Sequence, residues 1–161
     1  NKGSVKFSEP RELNPAEKKE KAQRYFNTWF PQAPAFLKGS NFHKNEGNLR
    51  IATFELHQAT ESLYYATLLV CTDYKPKTHN LWKLRRKAKP YSEELFHIFR
   101  AETDKQEKEL FELLKQGYID ARYREDFTIT EQELFILTER VSTMIPIVEK
   151  ICSQRMIDFN R

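Results

Sequence analysis

The sequence predicts an all-α protein, a bundle of about five helices, and three observations carry that prediction. Apolar residues recur at alternating gaps of three and four, most clearly Leu49, Ala52, Leu56, Ala59, Leu63, Ala66 and Val70, the spacing of one helix face. Helix-start signals, Asn14-Pro15-Ala16-Glu17 and Thr130-Glu131-Gln132-Glu133, stand before two further periodic stretches. No strand-type alternation competes with these, and only 4 of 161 residues are Gly, so breakers are few.

In chain order, residues 1–13 mix Gly, Pro and charge without a period and read as a tail or interdomain linker ahead of a single helical domain at 14–161. The first helix is expected over 15–38, with Asn14 as cap, Pro15 at the first helical position and Glu17 at the third. Pro31 and Pro34 interrupt or kink it, and Gly39 closes it. Residues 41–48 connect to a second helix over 48–71, which shows two unlike faces. Its apolar stripe is core. The opposite stripe, Arg50, Phe54, His57, Glu61, Tyr64, Tyr65 and Leu68, is too aromatic for a solvated face and is expected to meet another subunit, a neighbouring domain or a ligand.

Asp73, Lys75 and Pro76 end that helix, and Thr78 is the expected cap of a third over 79–99, broken at Pro90, with Leu81 and Leu84 turned inward. Between Lys75 and Lys89 there are seven Lys or Arg residues and no acid. Within that run Lys77, Lys83, Arg85 and Arg86 are the phosphate-contact candidates, since an uncompensated cluster keeps its field; a plain solvated face is the alternative. A fourth helix over 102–119 opens on acidic residues and places Leu110, Leu113, Leu114 and Tyr118 on one side. Residues 120–127 form a polar turn with two arginines. The fifth helix, 131–153, repeats Leu134, Leu137, Val141, Ile145, Val148 and Cys152, with a bend expected at Pro146.

Charged residues make up 31% and hydrophobic ones 39%, the balance of a globular protein long enough to bury a core unaided. A net charge of +4 and an isoelectric point near 9.0 are compatible with a phosphate-bearing partner. Cys71 and Cys152 lack metal-ligand spacing and are expected as reduced, packed thiols at helix ends. The longest mainly apolar run, Leu63 to Cys71, is well short of the roughly 20 residues of a membrane span, and no leader pattern is seen, so no membrane partner and a cytoplasmic location are expected. The chain begins at Asn1 rather than Met, as a piece of a longer polypeptide would.

There is no Gly-rich phosphate loop, CxxC, HExxH or GxSxG. The four histidines, His43, His57, His79 and His97, are scattered, so neither a metal nor a cofactor is expected. What remains is the polar line on the central helix. Arg50 and His57 differ by about 20° around the axis, and His57 and Glu61 are four apart and can touch. The catalytic candidates are therefore Arg50, His57 and Glu61: the pair beside an arginine could orient a base, hold a nucleotide, or be a buried polar network between helices.

Three ordered segments, FELHQATESLYYATLL, KTHNLWKL and GYIDARYRED, together spanning about residues 48–152, resemble the HEPN family (higher eukaryote and prokaryote nucleotide-binding domain). The resemblance implies an up-and-down helical bundle, commonly a homodimer, that works with a minimal nucleotidyltransferase fused upstream or encoded separately. It marks His57, Gln58 and Glu61 on the central helix, Thr78 and His79 at the start of the basic segment, and Arg122 and Tyr123 in the late turn. The expected ligand-binding set is His57, Gln58, Glu61, Tyr65, His79, Arg122 and Tyr123. Ribonucleases of the family carry an Arg followed four to six residues later by a His on the last helix, and here no His follows His97.

Three functions are weighed on these residues. One is a non-catalytic module that binds a nucleotide, RNA or acceptor substrate beside a nucleotidyltransferase. Another is a toxin-type, metal-independent ribonuclease of a toxin–antitoxin pair, using Arg50 and His57 across a dimer. The third is an oligomerisation bundle without a ligand.

Overall fold

The computed structural model describes residues 12–159, which are helical with short connections. Asn14 caps α1 (Pro15–Trp29), accepting from the Glu17 amide at 2.8 Å while the Glu17 side chain turns back to the Asn14 amide. The single helix expected over 15–38 is two. After a turn at Phe30 and Pro31, α2 (Gln32–Asn45) takes up residues expected as a connection. Pro34 does not interrupt it, because a first-turn residue has no intrahelical use for its amide. Gly39 lies inside α2 rather than at its end, and the chain turns instead at Gly47, whose φ of 82° suits glycine.

The central helix α3 (Leu49–Thr72) is the axis on which α1, α2, α4 (Leu81–Ala88), α6 (Lys105–Gln116), α7 (Asp120–Tyr123) and α8 (Glu131–Asp158) pack. Every residue from Ala59 to Cys71 is buried, on all sides of the helix. Its second stripe is therefore covered by the chain itself over most of its length, which corrects the expectation of an outside contact there: His57, Tyr64, Tyr65 and Leu68 are all buried, Tyr65 against Trp29 of α1. Buried hydroxyls are satisfied within the helix, Thr60 donating to the Leu56 carbonyl and Thr67 to that of Leu63.

After α3 the chain runs extended to α4 (Leu81–Ala88), a 3-10 turn (Lys89–Tyr91) and one-turn α5 (Glu93–Phe96). Asp104 caps α6 (Lys105–Gln116), one-turn α7 (Asp120–Tyr123) follows, and a Thr130–Glu133 capping box opens α8 (Glu131–Asp158). Pro146, exposed, lies within α8 without ending it. Cys71 and Cys152 are free and buried, and burial pushes the Cys71 thiol up to about 11. Cys152 lies inside α8 rather than at its end.

Candidate functional site

Three elements build the site on one side of the middle of α3. His57 has no exposed surface, and both ring nitrogens are engaged: Nδ1 is 3.0 Å from the Leu114 carbonyl at the end of α6, and Nε2 is 3.3 Å from Glu61 Oε2. A carbonyl only accepts, so Nδ1 carries a hydrogen. Nε2 then faces a carboxylate, and a proton must lie between those two atoms. The same Oε2 is 2.9 Å from Nδ1 of His79. Here too the imidazole donates, which leaves Nε2 of neutral His79 as the free acceptor. The His79 side chain is 49% exposed, against 8% for Glu61.

His79 is held from both sides along the chain. The Tyr65 hydroxyl donates to the Thr78 carbonyl, and the Thr78 hydroxyl accepts from the Asn80 amide at 3.1 Å. Asn80, not Thr78, then caps α4, accepting from the amides of Trp82 and Lys83. The correction has a physical cause: Thr78 is occupied on both its carbonyl and its hydroxyl, so the chain stays extended through residue 80 and the helix starts two residues later. The His79 ring lies flat on Tyr118, centroids 4.3 Å apart and planes at 12°, and Tyr118 also stacks at 5.5 Å with His57.

Tyr118 reaches this position through Gly117. A methyl group at residue 117 would stand 2.9 Å from the Leu114 and Thr53 carbonyl oxygens and 3.1 Å from His57 Cβ. Only glycine lets the end of α6 come this close to α3.

The expected site residues divide into those that meet and those that do not. His57, Glu61, His79 and Tyr65 meet. Tyr65 is itself buried, under the Lys75 ammonium at 4.3 Å from its ring centre. Burial, with the Glu61 carboxylate nearby, pushes its phenol well above the ordinary range. Gln58 is half-buried, with its Oε1 enclosed and unpartnered. Arg122 and Tyr123 lie on α7, exposed, with the Arg122 guanidinium 4.0 Å from the centre of the Phe54 ring and 3.2 Å from the Tyr118 carbonyl. Arg122 borders the site through Tyr118 rather than through the Glu61 cluster, and Tyr123 lies against Arg122.

Two candidates are used elsewhere. Arg50 donates to three backbone carbonyls, Arg124 at 2.6 Å, Glu125 at 2.9 Å and Phe127 at 3.0 Å, and so fixes the turn after α7. With His57 sealed, Arg50 and His57 do not present a joint reactive face. Arg85 turns inward: it is 3% exposed, bonds Glu102 through two nitrogens at 2.6 and 2.7 Å, donates to the Phe96 and Phe99 carbonyls, and lies 3.7 Å from the Phe96 ring centre. Position 85 falls on the buried Leu81–Leu84–Ala88 stripe of α4, which the charge run concealed. Lys77, Lys83 and Arg86 do face solvent.

Tyr118, Gly117 and the Leu114 carbonyl were not singled out as site components from the sequence. The available signal was the Gly-Tyr pair at the head of GYIDARYRED. A second pair was missed altogether: His43 Nδ1 on α2 is 2.8 Å from Glu55 Oε1 on α3. Among the described residues no group of three or more His, Cys, Asp or Glu side chains is arranged to hold a metal ion. A separate cleft of about 410 Å³ opens beside the C-terminal end of α3, but two of its cations are taken, Lys21 by Asp73 and Arg155 by the Cys71 carbonyl.

Fold and geometry together define a helical module in which a buried carboxylate holds a half-exposed imidazole. A family model for the HEPN domain matches residues 26–152, most of the chain. The chain belongs to the HEPN domain family, a group of nucleotide- and RNA-related helical modules. The search of curated proteins returned no match.

Proposed function

We propose that this chain is a nucleotide- or substrate-binding helical module that works with a nucleotidyltransferase domain, joined upstream or separate, and that the ligand docks at His79. The observation that carries the reading is the pairing of a half-exposed, firmly held imidazole with a buried carboxylate. A bare acceptor nitrogen and an aromatic-backed ring suit a nucleoside. Two features support it: membership of the family, and the solvent-facing cations Lys77, Lys83 and Arg86 on the same chain segment as His79.

A ribonuclease reading through Arg50 and His57 has less support, because one side chain is bound to backbone carbonyls and the other is sealed. The homodimer implied by the resemblance belongs to the proposal and is tested by light scattering on the purified chain.

Calorimetric titration with a nucleoside triphosphate is expected to show saturable binding that weakens with salt. His79→Ala should weaken it by about tenfold or more, equivalent to about 1.4 kcal/mol, and Lys83→Glu should weaken it and flatten the salt dependence. The reading fails if the chain does not bind, or if both variants bind like the parent.

A further inference from the structure

The Glu61–His79 pair joins a buried carboxylate to a half-exposed ring through Nδ1, and Nε2 makes no hydrogen bond among the described residues. We propose that Nε2 of His79 is a phosphoryl-acceptor site, modified by a donor with a good leaving group of the acyl phosphate or phosphoramidate class. This goes beyond nucleotide binding and uses the same side chain, but it does not require that a nucleotide bind.

The argument is one of nucleophile preparation. A histidine attacks phosphorus through an unprotonated nitrogen, so it must be neutral, in one tautomer, exposed at that nitrogen and held still. Glu61 Oε2, at 2.9 Å from Nδ1, fixes the tautomer with the hydrogen on Nδ1. Tyr118 holds the ring plane, and the restraints on Thr78 and Asn80 hold the backbone. Lys77 and Lys83, exposed in the flanking sequence, carry the charge a phosphoryl group would seek.

The other histidines lack this combination. His97 is more exposed, at 56%, but its Nε2 faces Glu93 at 3.2 Å on a one-turn helix. His57 is sealed. His43 has its Nδ1 on Glu55, but the side chain is only 30% exposed. Exposure alone therefore favours His97, whereas the geometry favours His79.

The step balances without a redox partner. The Nε2 lone pair attacks phosphorus, the P–N bond of phosphoramidate breaks, and ammonia departs with the proton already on its nitrogen. The ring becomes an N-phosphoryl imidazolium whose Nδ1–H stays hydrogen-bonded to Glu61 Oε2, which it shares with His57.

The test is incubation of the purified chain with potassium phosphoramidate, followed by phosphorus NMR and peptide mapping. The expected result is first labelling at Nε2 of His79, none in His79→Gln, and an initial rate lowered about tenfold or more in Glu61→Gln. Labelling of His97 or His43 as fast as His79, labelling at Nδ1 of His79, or no labelling of the folded chain would overturn the proposal. Should Glu61→Gln not fold, nitrogen NMR of the unmodified protein at alkaline pH decides: a hydrogen on Nδ1 and none on Nε2 of His79 is expected, and the reverse tautomer overturns it. Added nucleoside triphosphate separates the two readings, since labelling that proceeds unslowed by saturating nucleotide keeps this inference and removes His79 from the nucleotide site.

Discussion

Glu61 and Glu55 stand six residues apart on α3, about 120° apart around its axis, and each carboxylate has an imidazole Nδ1 within 2.9 Å. Their surroundings separate them. Glu61 gathers partners from distant elements through one oxygen: His57 on its own helix, His79 on the loop before α4, and through His57 the end of α6. Glu55 has a local partner, His43 from the adjoining α2, and its second oxygen is enclosed without any partner. The same His43 Nδ1 also lies 3.0 Å from the Gly39 carbonyl of its own helix. A carboxylate–imidazole pair thus serves as packing between two neighbouring helices on one side of α3. On the other side several elements converge to hold a ring that remains half exposed.

The sharpest way to break this comparison is to remove each carboxylate in turn. Glu61→Ala leaves His57 with its Nε2 facing no partner in a dry interior, so a loss of about 3 kcal/mol is expected, in the range for stripping one member of a buried pair. Glu55→Ala removes a carboxylate already missing a partner on one oxygen, and a loss of about 1 kcal/mol is expected. Urea unfolding of both variants measures the difference, and equal losses would mean that the convergence around Glu61 adds nothing.

Gly117→Ala tests the closeness of approach on the Glu61 side. The atoms its methyl would meet, at 2.9 Å, are the backbone oxygens of Leu114 in its own helix and of Thr53 on α3, and the second moves only if the helices part. A loss of about 2 kcal/mol is expected. Tyr118 should shift with the helix end, so the same variant should lower the stacking of His79, visible as a change in the ring-current shift of its proton resonances.

Much of this was legible in the sequence, and what was not has identifiable causes. Periodicity and capping residues located α3, α6 and α8 to within a few residues, because amphipathic spacing and side-chain caps are local. Asn14 and Thr130 cap as expected. Contact between His57 and Glu61 was also legible, being a matter of four residues on one helix. The joining of His79 to Glu61 followed no spacing rule; only the family resemblance placed both in one set. Gly39 misled because a glycine after an apolar run reads as a helix end, whereas here it makes room for Glu55. Arg85 misled in the opposite sense. Within a run of cations it looked like a surface charge, yet its helical position sends it inward, where Glu102 and two carbonyls receive it. Charge runs are read by composition, but burial is decided residue by residue along the helix period.

The smallest effect is expected at Gly39, and it sharpens the comparison because the clash there is nominally the worse of the two. A methyl group at residue 39 would stand 2.2 Å from Glu55 Oε2, closer than any atom met at Gly117. The obstacle, however, is the end of a flexible side chain that is still 15% exposed, and Oε2 has no hydrogen bond to lose. The carboxylate can swing toward water while Ala replaces Gly in a helix interior, a gain of about 1 kcal/mol, set against a weakened pair with His43 worth about the same or less. Gly39→Ala should therefore unfold within about 1 kcal/mol of the parent, well short of the loss expected for Gly117→Ala. A loss at Gly39 as large as that at Gly117 would show that Glu55 is locked as tightly as Glu61, and the two sides of α3 would then differ only in which histidine reaches the surface.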